Sequence, residues 1–109
     1  MTHFEINAEY LLPPGEHDAF ELSDAIIEAC RDIPDILGDP IIGSGAMPRL
    51  AVQVYATRQK RINAFADLTH TVLSSVLSAL PAGTQTLSGT TSVNPVRGVL
   101  RAYLTKDHP

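Results

Sequence analysis

PRLAVQVYATRQKRINAFADLTHTVLSSVLSALP, residues 48–81, passes from a period of two to a period of three to four without a break. Leu50, Val52, Val54 and Ala56 alternate with Ala51, Gln53 and Tyr55, the pattern of a strand. Ile62, Phe65, Ala66, Thr69, Val72, Leu73, Val76, Leu77 and Leu80 then fall on one face of a long amphipathic helix. A similar strand and helix precede this block, so the chain reads as two related α/β halves.

Phe4, Ile6, Ala8 and Tyr10 alternate with Glu5, Asn7 and Glu9, which predicts a strand with one buried and one wet face, stopped by Pro13, Pro14 and Gly15. Asp18 followed by Glu21 has capping-box spacing, and Leu22, Ala25, Ile26, Ala29, Cys30 and Ile33 form the apolar stripe of a helix that Pro34 ends. Ile36, Leu37, Ile41 and Ile42, interrupted by Gly38, Pro40, Gly43, Gly45 and Pro48, predict an edge strand. After Pro81 and Gly83, the Thr- and Ser-rich run 84–93 predicts a second edge strand. Asn94-Pro95 and the spacing of Val96, Val99, Leu100, Tyr103 and Leu104 favour a short amphipathic helix over 94–105. A strand with Val96, Gly98, Leu100, Ala102 and Leu104 on one face also satisfies that segment.

The expected order is therefore β-α-β-β-α-β plus a C-terminal helix. This is a ferredoxin-like split arrangement, an antiparallel sheet with both helices on one face, in a single domain over 1–109 whose core spans 3–93. With 109 residues, 44% hydrophobic and 18% charged, the chain has room for one core. A sheet face left open in so small a chain gains from being covered by a second subunit, so a homo-oligomer is expected. The residues expected at that interface are Glu5, Asn7, Glu9, Gln53 and Tyr55 on the second sheet face.

A net charge of −4 argues against nucleic-acid binding through the overall field, and no direct nucleic-acid contact is expected. The lone Cys30 excludes an internal disulfide and reads as a core thiol. With no signal peptide and no apolar run near the roughly 18 residues of a membrane span, the chain is expected to be cytoplasmic, with no membrane association.

Arg49, Arg58, Lys60 and Arg61 bracket the central strand, and three of them stand where the second helix begins, against the preference of its macrodipole. Free N–H groups and cations there suit a phosphate, a carboxylate or an acidic partner. The alternative is a solvated loop, with the helix starting later on Asn63 as its cap. Glu21, Asp24, Glu28, Asp32 and Asp35 form an outward acidic stripe. His3, His17, His70 and His108 are scattered without metal-ligand spacing, and Ser74, Ser75 and Ser78 lack a nucleophile-elbow turn, so no catalytic residue, metal or cofactor is expected.

Leu12-Pro13-Pro14, Leu22-Ser23-Asp24-Ala25 with Glu28-Ala29, Ile42-Gly43-Ser44-Gly45, the Leu50–Tyr55 strand and Ser78-Ala79-Leu80-Pro81 together resemble a group of small bacterial proteins. Those proteins join a ferredoxin-like N-terminal module to a helix-turn-helix segment. The resemblance implies a non-enzymatic module, possessed of the interaction half and lacking the DNA-reading helices that would follow 94–104, that pairs with itself or a protein partner in a regulatory role. The strand at Arg49–Ala56 leading into a long helix is also similar to phage tail-terminator and neck proteins, which implies a ring-forming virion component. Met1-Thr2-His3-Phe4 resembles the opening of small tautomerases, whose N-terminal proline base is replaced here by Thr2.

Overall fold

The computed structural model describes residues 3–91. They form β1 (His3–Leu11), α1 (Ala19–Cys30), β2 (Ile41–Gly43), β3 (Arg49–Thr57), α2 (Ile62–Ala79) and β4 (Gln85–Thr91). The sheet order is β2-β3-β1-β4, and every neighbouring pair is antiparallel. This is an α+β fold, a four-stranded antiparallel sheet with two helices. The segment 94–105, for which helix and strand were both in play, lies outside the described residues, as does Thr2.

The centre of the sheet is the β1–β3 ladder, nine rungs from His3 opposite Thr57 to Leu11 opposite Arg49. Because side chains alternate across a strand, this register puts Phe4, Ile6, Ala8 and Tyr10 on the same face as Leu50, Val52, Val54 and Ala56. All eight are buried, in one cluster with Leu22, Ile26 and Cys30 of α1 and Phe65, Val72, Leu73 and Val76 of α2. Both helices therefore cover the same face. Phe4 and Phe65 meet edge to face at 4.9 Å, tying β1 to the first turns of α2. The Tyr10 hydroxyl donates to the Leu73 carbonyl at 3.4 Å.

Local chemistry sets the element ends. Asp18 caps α1, its carboxylate accepting from the N–H groups of Phe20 and Glu21. The helix ends at Cys30, about one turn before the Ile33 expected from the apolar stripe. Its last carbonyls are taken by i→i+3 bonds, Arg31 N–H to Glu28 and Ile33 N–H to Cys30, which tighten the chain ahead of Pro34. Ile33 still packs against the core, so the stripe outlasts the helix. Asp35 then turns the chain in the left-handed region at φ 70°, which Asp tolerates better than most residues.

The edges differ. β2 has three residues, extended by an isolated bridge from Ile36 to Ala56, and Pro40 precedes it. β4 has seven residues, with a bulge opposite Glu9 and Tyr10 that leaves Leu87 without a rung. The edge strands expected over 36–42 and 84–93 are present as β2 and, as far as the described residues reach, as β4. Ile62, expected on the core face, is 43% exposed because it is the first residue of α2.

Thr69 is wholly buried in α2, and its hydroxyl has no hydrogen-bond partner. Replacing it by valine, similar in shape and without the polar atom, is expected to raise unfolding stability by about 1 kcal/mol in urea titration; a loss would show that the hydroxyl is satisfied in solution.

Burial raises the Cys30 thiol above its ordinary value, and burial together with the nearby Cys30 raises the Tyr10 phenol. Both acids hold their protons more tightly folded than unfolded. Their contribution is present below the ordinary thiol value of about 8.5 and is lost as pH rises through the raised folded values. The urea midpoint is expected to fall progressively above pH about 8.5, and Cys30→Ala to blunt the first part of that fall. A midpoint that stays flat in this range contradicts the assignment.

Candidate functional site

The helices occupy one face of the sheet, and the opposite face carries the residues between the buried ones. Along β1 these are His3, Glu5, Asn7, Glu9 and Leu11; along β3 they are Arg49, Ala51, Gln53, Tyr55 and Thr57. The ladder brings together the five residues expected at an interface: Glu5 is opposite Tyr55, Asn7 opposite Gln53, and Glu9 opposite Ala51.

The long side chains on this face reach across the ladder diagonally. Gln53 Nε2 donates to Glu5 Oε1 at 2.8 Å, two residues along β1 from its direct partner Asn7. Arg49 Nη1 donates to Glu9 Oε1 at 2.9 Å, again two residues along from its direct partner, Leu11. Tyr55 donates its hydroxyl to Gln53 Oε1 at 3.4 Å, and His3 packs edge-on against the Tyr55 ring at 5.7 Å. Diagonal neighbours in an antiparallel pair lie within reach of long side chains, so one rotamer set is held in place before any partner arrives. The Arg49–Glu9 pair is well exposed and contributes at most about 1 kcal/mol to folding.

Between these groups the face dips. Gly43 stands opposite Ala51, and a Cβ placed on Gly43 would lie 3.7 Å from the Ala51 Cβ, so no large side chain fills this point. Asn7, Glu9, Ile41, Ala51, Gln53 and Ser88 border a depression of about 360 Å³ on this face. Ile41 is 54% exposed at its rim.

The four cations do not converge. Arg49 begins β3 and is paired with Glu9, whereas Arg58 follows the end of β3, about 30 Å away at the rise of an extended chain. Arg58, Lys60 and Arg61 are exposed just before α2, and Arg61 is its N-cap residue without a capping side-chain bond. Asn63 lies inside the helix and is not the cap. The Thr57 N–H donates to the Asp35 carbonyl at 2.8 Å, which sets the acidic run Asp32–Asp35 after α1 beside the basic run before α2. Each run opposes the dipole of its own helix, and each suits the end of the other helix. Among the described residues no ion pair joins the two runs.

Two other places matter for chemistry. A cleft of about 550 Å³ lies where the ends of β1 and β3 meet the loops, bordered by Leu12, Pro13, Pro14, His17, Met47 and Pro48. The sequence does not show it because its walls come from two distant loops, joined where the Leu12 N–H donates to the Pro48 carbonyl at 2.9 Å. His17 is the ionisable group bordering it, and its Nε2 is 2.7 Å from the Pro13 carbonyl, a contact that makes this nitrogen the donor. On α2, His70 Nε2 lies 3.4 Å from the Ser74 hydroxyl on the outward side of the helix, away from both the cleft and the depression. Among the described residues no group of three His, Cys, Asp or Glu side chains is arranged to hold a metal ion, and no helix is long and apolar enough to cross a membrane.

No family profile and no curated protein sequence matches the chain. Among solved structures it is similar to the domain of unknown function DUF77 from Bacillus cereus, at 13% identity, over 86% of this chain and 78% of that chain, with a TM-score of 0.39. A likeness at that level says nothing about what either protein does.

Proposed function

We propose that this chain is a non-catalytic interaction module that associates with itself through the outer face of its sheet, on a ferredoxin-like split β-α-β-β-α-β frame. The strand order and the antiparallel pairing support the frame. The observation that carries the function is the outer face itself. Among the described residues no element covers it, and its polar groups are ordered by hydrogen bonds within the face. An interface whose side chains are already ordered loses less rotamer freedom on association.

The size of the face agrees with a modest specific contact. Four strands about 4.8 Å apart and up to nine residues long give a footprint on the order of 500 Å² per copy. Two such footprints bury about 1,000 Å², the lower end of what a biological interface needs. A reversible dimer fits this better than a permanent assembly. The non-catalytic reading is supported by the cleft, where the one ionisable side chain is already turned to a backbone carbonyl, and by the outward position of the His70–Ser74 pair.

Light scattering over a concentration series tests this directly. The chain is expected to show twice its 11.7 kDa mass at high concentration and to dissociate on dilution. Tyr55→Arg is expected to weaken dimerisation at least tenfold, and reversing Arg58, Lys60 and Arg61 together to leave it unchanged. A monomer at every concentration contradicts the proposal. A discrete ring of six or more copies would replace it with the virion-component reading.

A further inference from the structure

We infer that the cleft between the loop after β1 and the loop before β3 binds an uncharged aromatic molecule bearing one N–H or O–H donor, with His17 as the acceptor. Such a site does not depend on the self-association proposed above.

The cleft holds about 550 Å³, within the roughly 300–1,000 Å³ of small-molecule sites. Leu11, Leu12, Pro13, Pro14, Met47 and Pro48 form its walls, and no Lys, Arg, Asp or Glu borders it. A phosphate, carboxylate or ammonium group seated there would lose water without meeting a fixed counter-charge, so the lining favours an uncharged ligand. Three of the six walls are prolines, whose rings lose no rotamer freedom when they are covered. Met47 adds a polarisable thioether, which makes favourable contacts with aromatic rings. Flat, stiff walls and one sulfur suit a planar ring.

The walls are fixed before a ligand arrives. The Leu12 N–H donates to the Pro48 carbonyl at 2.9 Å, joining the two loops, and the Arg49 N–H donates to the Ala46 carbonyl at 2.9 Å, closing the turn that carries Met47 and Pro48. Pro13 is backed by the turn after α2, where a Cβ placed on Gly83 would lie 3.4 Å from the Pro13 Cβ. A site already in its bound shape loses less on ordering when it is filled.

His17 sets the polar requirement. Its Nε2 lies 2.7 Å from the Pro13 carbonyl, so this nitrogen carries the hydrogen, and in the neutral ring Nδ1 is left as an acceptor. A ligand N–H or O–H satisfies that acceptor; a ligand carbonyl or ether does not.

Indole is the probe, a planar uncharged ring with one N–H. 1-Methylindole keeps the ring without the donor, and indole-3-acetate adds a negative charge. Met47 is one of two methionines in the chain, so its isotope-labelled methyl group gives a distinct NMR signal, assigned with Met47→Leu, that an aromatic ring in the cleft displaces. Titrations of the full chain at about pH 8, where an imidazole is ordinarily neutral, are expected to displace this signal saturably with indole. Binding is expected to be at least about threefold weaker for 1-methylindole, the loss of one hydrogen bond, and weaker again for indole-3-acetate. His17→Phe, which keeps a ring and removes the acceptor, is expected to abolish the preference for indole over 1-methylindole, with far-UV circular dichroism confirming the fold. The wild-type comparison decides the matter whether or not that variant folds. A Met47 signal that indole does not displace saturably shows that the cleft binds no ligand of this class. Equal affinity for indole and 1-methylindole, a preference that survives His17→Phe, or tightest binding of indole-3-acetate overturns the inference as well.

Discussion

The nine-rung pairing of β1 with β3 is the constraint on which the rest of this structure depends. A slip of one residue would carry Phe4, Ile6, Ala8 and Tyr10 to the opposite face and bring Glu5, Asn7 and Glu9 under the helices, where the charged groups would lack partners. The register therefore decides two surfaces at once. It builds the floor on which α1 and α2 pack, and it arranges Glu5, Glu9, Arg49, Gln53 and Tyr55 at diagonal hydrogen-bonding distance on the other side. Core and candidate interface are two consequences of one alternation.

The ends of the helices show a second level of organisation. α1 and α2 run in opposite directions over the sheet: α1 ends near Asp35 and Thr57, and the turn after α2 brings Gly83 against Pro13. Judged one helix at a time, acids after α1 and cations before α2 are both unfavourable. Judged together, the carbonyl end of α1 adjoins the cations and the amide end of α2 adjoins the acids.

Much of this was legible in the sequence, for identifiable reasons. Both long strands announce themselves because one face is apolar and the other polar, and the outward placement of Glu5, Asn7, Glu9, Gln53 and Tyr55 follows from that alternation alone. Where reading along the chain failed, the missing information was three-dimensional. Ile33 continues the apolar stripe of α1 although the helix has closed with i→i+3 bonds, since burial and helical conformation end at different residues. The diagonal pairs Gln53–Glu5 and Arg49–Glu9 need the register, and the depression between Ile41 and Ala51 needs β2 beside β3. The cleft bordered by His17 needs the loop after β1 and the loop before β3, which are far apart in sequence and meet at one end of the sheet.

The account stands or falls on whether the outer face is covered in solution, and radical footprinting of Tyr55 as a function of protein concentration addresses that most directly. Tyr10, wholly buried in the core, serves as an internal reference whose modification stays low throughout. Covering of the outer face by a second copy requires Tyr55 to be modified readily in dilute protein and to become protected as concentration rises, in step with the rise in mass. A Tyr55 that is equally reactive at every concentration while the mass doubles would place the interface elsewhere and contradict the account.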